Sequence, residues 1–113
     1  MLRLSRLTLG VSDIDLSERF YRDVLSLVTE RRDDEVIVRW EAFALILTPR
    51  PPAGRGKFHL GFRVNSDAEV DAWSQRLRGL GVDMIGGPAG DSGARALFFR
   101  DPDDYEFEIY SEG

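Results

Sequence analysis

The chain has 113 residues, 42% hydrophobic and 31% charged, with a formal net charge of −5 and no cysteine. These values describe about one globular domain with a small core, and they exclude a disulfide scaffold, a thiolate nucleophile and a cysteine zinc site. They also set nucleic acid aside as a partner, which usually requires a basic footprint, and favour a cationic or polar small molecule.

The longest apolar run, Ala42 to Leu47, is too short to span a bilayer. Residues Leu4 to Val11 alternate instead of forming the apolar centre of a signal peptide. The expectation is therefore a cytoplasmic protein with no membrane partner.

In chain order, Leu4 to Val11 predicts a first strand, with Leu7, Leu9 and Val11 on one face and Arg6, Thr8 and Gly10 on the other. Ser12 and Asp13 are N-cap candidates. Leu16, Phe20 and Val24, with Tyr21 and Leu25 alongside, then recur at helical spacing, and the helix is expected to end near Leu27. Phe20 is expected in the core. Glu30 to Glu35 is a charged turn, with a weakly marked strand over Val28 to Arg31. Val36 to Trp40 and Phe43 to Thr48 form two strands around a turn at Glu41 and Ala42. Residues 49–56, with three prolines and two glycines, are the linker.

The second half begins with Lys57 to Val64, which places Phe58, Leu60, Phe62 and Val64 on one face and His59, Gly61 and Arg63 on the other. Ser66 to Glu69 is a capping box. It opens a helix whose stripe is Val70, Trp73, Leu77 and Leu80, ended by Gly79 and Gly81. Val82 to Ile85 is a short strand, and Gly86 to Gly93 a second flexible loop.

The chain closes on a hairpin. Asp101-Pro102-Asp103-Asp104 is turn chemistry: Asp101 can hydrogen-bond its own turn, and Asp104 tolerates a left-handed backbone. Beyond it, Tyr105, Phe107 and Ile109 share one face, and Glu106, Glu108 and Tyr110 the other.

The second half repeats the first. A shift of 53 residues lays Arg6 on His59, Leu7 on Leu60, Leu9 on Phe62 and Phe20 on Trp73. A unit this short cannot bury its sheet alone, which suggests two copies packed together. The fold class is therefore α+β. One domain, residues 1–113, is built from two βαβββ modules at about 1–48 and 57–113. They are joined by the linker at 49–56, as a curved, cup-shaped sheet with helices outside.

Three stretches carry a resemblance: Leu4 to Leu27 (LSRLTLGVSDIDLSERFYRDVLSL), Lys57 to Val64 (KFHLGFRV) and Phe99 to Tyr110 (FRDPDDYEFEIY). Together they resemble the vicinal oxygen chelate superfamily of glyoxalases, bleomycin-resistance proteins and extradiol dioxygenases. The resemblance implies the paired βαβββ fold, a homodimer, and a cup that often holds a divalent metal on a His or Gln, a His and a Glu.

Carried onto this chain, those ligand positions fall on Arg6, His59 and Glu108. His59 and Glu108 match in type. Arg6 does not, because a guanidinium has donors and no lone pair for a metal. A fourth ligand position falls near apolar Ile46, and Asp104 stands where the family's hairpin commonly has glycine. The triad is thus incomplete. No cofactor is expected beyond a weakly held divalent metal on His59 and Glu108, and Glu108 is the expected carboxylate partner of Arg6.

The expected function is a small-molecule binding protein of the bleomycin-resistance-like kind, taking its ligand in the cup without a metal. Arg6, Thr8, Trp40, His59, Glu106, Glu108 and Tyr110 are the ligand-binding candidates. The alternative is a metal-dependent lyase, isomerase or dioxygenase, or a metal-free enzyme using His59 and Glu108 as acid and base.

Overall fold

A computed structural model of the protein describes residues 1–91 and 93–112. The chain divides into two compact units, Met1–Ala53 and Gly54–Gly113. The first contains β1 (Arg6–Val11), α1 (Ile14–Arg19) with a π-helical continuation (Phe20–Val24), β2 (Thr29–Arg32), β3 (Glu35–Arg39) and β4 (Ala44–Pro49). The second contains β5 (His59–Val64), α2 (Asp67–Gly79), β6 (Met84–Ala89), β7 (Ala96–Arg100) and β8 (Glu106–Ser111).

Each unit is a βαβββ module, and the two sheets have the same strand order, β1-β4-β3-β2 and β5-β8-β7-β6. Within each sheet the first strand pairs parallel to the last, which the intervening helical crossover permits, and the other pairs are antiparallel. The repeat is accurate at its start. β1 and β5 begin 53 residues apart, at Arg6 and His59, and so do the helices, at Ile14 and Asp67.

In each sheet, one face is the dry core. Cross-strand rows in the first unit run Leu9–Leu47–Val36 and Leu7–Leu45–Val38. All but Leu7 are fully buried. In the second unit, Leu60–Phe107–Phe99 and Phe62–Ile109–Leu97 form the corresponding rows. Phe107 stacks between Phe62 and Phe99, with centroids 5.3 and 5.6 Å away. Val70 and Leu77 of α2 complete that core. Such burial is worth roughly 1.5–3 kcal/mol per large side chain.

Local signals read from the chain appear in the backbone. Asp13 caps α1, its Oδ1 accepting from the Leu16 N–H at 3.1 Å. Ser66 caps α2, accepting from the Glu69 N–H at 3.2 Å, while Glu69 reaches back to the Asn65 N–H. At the other end Gly81 adopts φ 74°, with Gly81 N–H on the Arg78 carbonyl and Val82 N–H on that of Leu77. This pair of bonds is the Schellman arrangement, which needs a left-handed residue after the cap.

Five expectations need correction. Strand β1 starts at Arg6, leaving Leu4 exposed. The buried stripe of the first helix is Ser17, Tyr21 and Leu25, whereas Leu16 is 43% exposed and Phe20 and Val24 are half-buried. The buried stripe is thus offset by one position already at Ser17, ahead of the π-helical turn at Phe20–Val24.

In α2, Ser74 is buried beside Val70 and Leu77. Trp73 is half-buried under the Arg76 guanidinium, 5.6 Å from its ring, and Leu80 is exposed. Phe20 and Trp73 are therefore boundary residues.

Glu30 to Glu35 is a hairpin, and only Asp33 and Asp34 turn, with Asp33 at φ 54°. Strand β2 ends its sheet, and a charged sequence suits an unpaired edge. Finally, β6 runs through Gly86, Gly87 and Pro88 to Ala89 with two register shifts. Glycine and proline are tolerated there because β6 is an edge strand and irregular. Ser92, part of the expected loop, lies outside the described residues.

Candidate functional site

The second face of each sheet is polar, and strand register decides what meets there. In the second unit the rows are His59–Glu106–Arg100, Gly61–Glu108–Phe98 and Arg63–Tyr110–Ala96. His59 Nε2 lies 4.0 Å from Glu108 Oε1, with side-chain exposures of 58% and 24%. The imidazole also meets the edge of Phe98, with centroids 6.2 Å apart.

Between them Gly61 leaves a gap. A Cβ built there would sit 3.0 Å from Tyr110 Cε1 and 3.5 Å from Glu108 Oε1. The tyrosine ring and the carboxylate therefore lean over a position with no side chain. Arg100 borders this face; its Nη1 lies 3.3 Å from Asp83, and its Nε is buried without a hydrogen-bond partner among the described residues.

In the first unit the corresponding rows are Arg6–Ala44–Arg39, Thr8–Ile46–Ile37–Glu30 and Glu35–Arg32. A cavity of about 370 Å³ opens on this face, lined by Ser5, Arg6, Arg32, Glu35, Ile37, Arg39, Ala44 and Ile46. Glu30 sits beside it, accepting from Arg32 at 2.9 Å and Arg39 at 3.3 Å. Those two hydrogen bonds, Arg32's the larger, hold the Glu30 carboxyl below the usual carboxylate range. Arg6 makes no hydrogen bond or ion pair within its own unit among the described residues.

The structure thus brings His59, Glu106, Glu108 and Tyr110 onto one sheet face, and places Arg6 and Thr8 on the polar face of the other sheet. Arg6 lines the cavity, while Thr8 and Trp40 are not among its lining residues. Trp40 lies one residue past β3, where alternation continues from Val36 and Val38, away from Ile37 and Arg39.

Arg32, Glu35 and Arg39 were missed as site residues because they read as parts of a solvated turn and a strand end. The signal was the alternation of Glu35, Ile37 and Arg39 against buried Val36 and Val38. Gly61 and Phe98 become visible only through register.

The donor set does not fit a tightly held metal. His59 and Glu108 offer two ligands, and a guanidinium offers none. Among the described residues, no three His, Cys, Asp or Glu side chains are grouped to hold a metal ion. Nor, among those residues, is any helix long and apolar enough to cross a membrane.

Known proteins resemble this chain along nearly its whole length. The family model for the Glyoxalase/Bleomycin resistance protein/Dioxygenase superfamily matches residues 3–109. A manganese-dependent 2,3-dihydroxybiphenyl 1,2-dioxygenase from Geobacillus genomosp. 3 is 27% identical over 96% of the chain. The chain spans only 36% of that enzyme's length. Metallothiol transferase FosB from Staphylococcus saprophyticus is also 27% identical, over 96% of the chain and 76% of FosB. Among solved structures, the fosfomycin resistance protein FosX from Listeria monocytogenes superposes with a TM-score of 0.85 at 23% identity, covering 100% of this chain and 95% of FosX. That likeness shows the fold.

Proposed function

We propose that this chain, which belongs to the Glyoxalase/Bleomycin resistance protein/Dioxygenase superfamily, is a small-molecule binding protein that needs no resident metal. The observation that carries the reading is the donor set: two possible ligands, His59 and Glu108, 4.0 Å apart on adjacent strands, with no third grouped beside them among the described residues. The binding walls are the polar sheet faces. Each is taken within its own unit: His59, Glu106, Glu108 and Tyr110 lie on the face of the second, Arg6 and Thr8 on that of the first, where Trp40 flanks the β3–β4 turn. Polar groups converging on a face with apolar neighbours orient a ligand without a nucleophile.

The second reading is a metal-dependent enzyme. The match of His59 and Glu108 to the family's ligand types favours it, as does the manganese dependence stated in the dioxygenase's name.

A thermal-shift screen of small polar metabolites separates the two readings. Binding is expected to survive a chelator and to weaken in His59→Ala and Glu108→Gln. Ligands that stabilise only after Mn²⁺ is restored would favour the enzyme.

The exposed Leu16, Val28, Leu80 and Ile85 support a homodimer. Sedimentation at micromolar concentration should show twice the 12.8 kDa chain mass; a monomer alone contradicts it.

A further inference from the structure

The arginine-lined cavity of the first unit specifies its ligand's charge. We infer that it binds a small organic oxyanion, a carboxylate or phosphonate on a compact apolar body, with Arg6 as the principal anchor. This deepens the binding reading above and rests on it.

Three guanidiniums and one carboxylate line the cavity, a local excess of positive charge in a chain of net charge −5. A polyanion is repelled by the whole chain, whereas a small anion responds to the local field. Cross-strand register puts Arg6 and Arg39 on either side of Ala44, whose single methyl leaves room between them. Ile37 and Ile46, adjacent in the next row, form an apolar floor, and Ile37 is only 6% exposed.

The three arginines are not equivalent. Arg32 and Arg39 share Glu30, so part of each guanidinium is occupied. Arg6 carries a full set of donors and no partner within its unit. A planar five-donor cation on a cavity wall matches the two oxygens of an oxyanion in bidentate fashion. The volume of about 370 Å³ lies in the range of small-ligand pockets. Glu35, on the far side of the cavity from Arg6 and Arg39, repels a second negative charge and so favours one anionic head over a dicarboxylate.

The test is calorimetry at fixed ionic strength with chelator present, using benzoate, phenylphosphonate, neutral benzamide and cationic benzamidinium. The two anions should bind, and benzamide about tenfold more weakly or worse. Arg6→Gln should weaken benzoate by about tenfold or more, and Arg39→Gln should weaken it by less. Arg22→Gln removes the same charge from the same unit outside the cavity and should leave benzoate binding unchanged. If Arg6→Gln fails to fold, Arg6→Lys is read instead: it keeps the charge, loses the planar fork, and should still weaken benzoate, and unchanged binding there overturns the anchor.

Benzamidinium binding as tightly as benzoate overturns the oxyanion class. If its binding is then lost in Glu106→Gln with Glu108→Gln, small-molecule binding stands without the anion. Benzoate binding unchanged in Arg6→Gln overturns the anchor and leaves that guanidinium to a carboxylate of the protein. No binding by any of the four probes overturns this inference, while the binding reading it rests on stands or falls with the metabolite screen.

Discussion

Asp101 is the residue whose removal should cost the fold most per atom. It is a carboxylate only 4% exposed, placed between β7 and β8. Its Oδ1 accepts from two backbone N–H groups, those of Asp103 and Tyr105, both at 2.9 Å. The same residue closes the turn through its backbone, with its N–H on the Tyr105 carbonyl and its carbonyl receiving the Asp104 N–H, each at 3.0 Å. Asp101→Ala removes the acceptor and leaves two donors beside buried Tyr105 without it.

A hydrogen bond to a charged group contributes about 1.5–3 kcal/mol, and the two share one oxygen, so they do not add fully. The expected loss is about 3 kcal/mol, a large share of a small domain's stability. Asp101→Asn keeps an oxygen at the same place without the charge and should lose about 1 kcal/mol. Urea unfolding monitored by tryptophan fluorescence measures both, read from the midpoint at constant slope. An Asp101→Ala variant within about 0.5 kcal/mol of the parent would refute the reasoning, since the two N–H groups would then have found other partners at no cost.

Three further outcomes are expected from the same assay. Gly10→Ala should destabilise by about 1–3 kcal/mol, because its Cβ would meet the Pro51 carbonyl oxygen at 2.5 Å and that of Arg50 at 3.0 Å, both backbone. Gly79→Ala should stabilise by about 0.5 kcal/mol, because it ends α2 with nothing within 4 Å of the new methyl. Asp67 accepts from the Ser111 hydroxyl and the Gly93 N–H, which in that order lower its carboxyl pKa from the ordinary 3.8. Its folded pKa lies below the unfolded one, so its contribution is present above about pH 4 and is lost as pH falls through the folded value. Asp67→Asn should therefore flatten the acid limb of a stability–pH curve, and an unchanged limb would contradict this.

The parts of the fold that were legible in the chain are those set by neighbours in sequence. Asp13, Ser66 and Gly81 mark helix ends through groups three or four residues away, and Asp101 and Asp104 build their own turn. The repeat was legible because Arg6–Val11 and His59–Val64 both alternate with period two.

What stayed hidden depends on partners distant in sequence. Thr29–Arg32 is polar on both faces, so nothing in TERR separates an edge strand from a turn until β3 pairs with it. The burial of Ser17 in place of Leu16, and the π-helical turn at Phe20–Val24, have no marker in apolar spacing. The cavity is hidden for the same reason. Arg6, Arg32 and Arg39 come from three strands, and only the β1-β4-β3-β2 order gathers them.

The central claim is that an arginine at the first ligand position leaves this family member without a resident metal. Elemental analysis after growth with added Mn²⁺, Zn²⁺, Fe²⁺ and Ni²⁺, followed by exhaustive dialysis, tests it most directly. Arg6→His, which restores an imidazole at that position, serves as the positive comparison. Far less than one metal per chain is expected in the parent, and a marked rise in Arg6→His. One tightly held metal per chain in the parent would contradict it and return the function to metal-dependent catalysis.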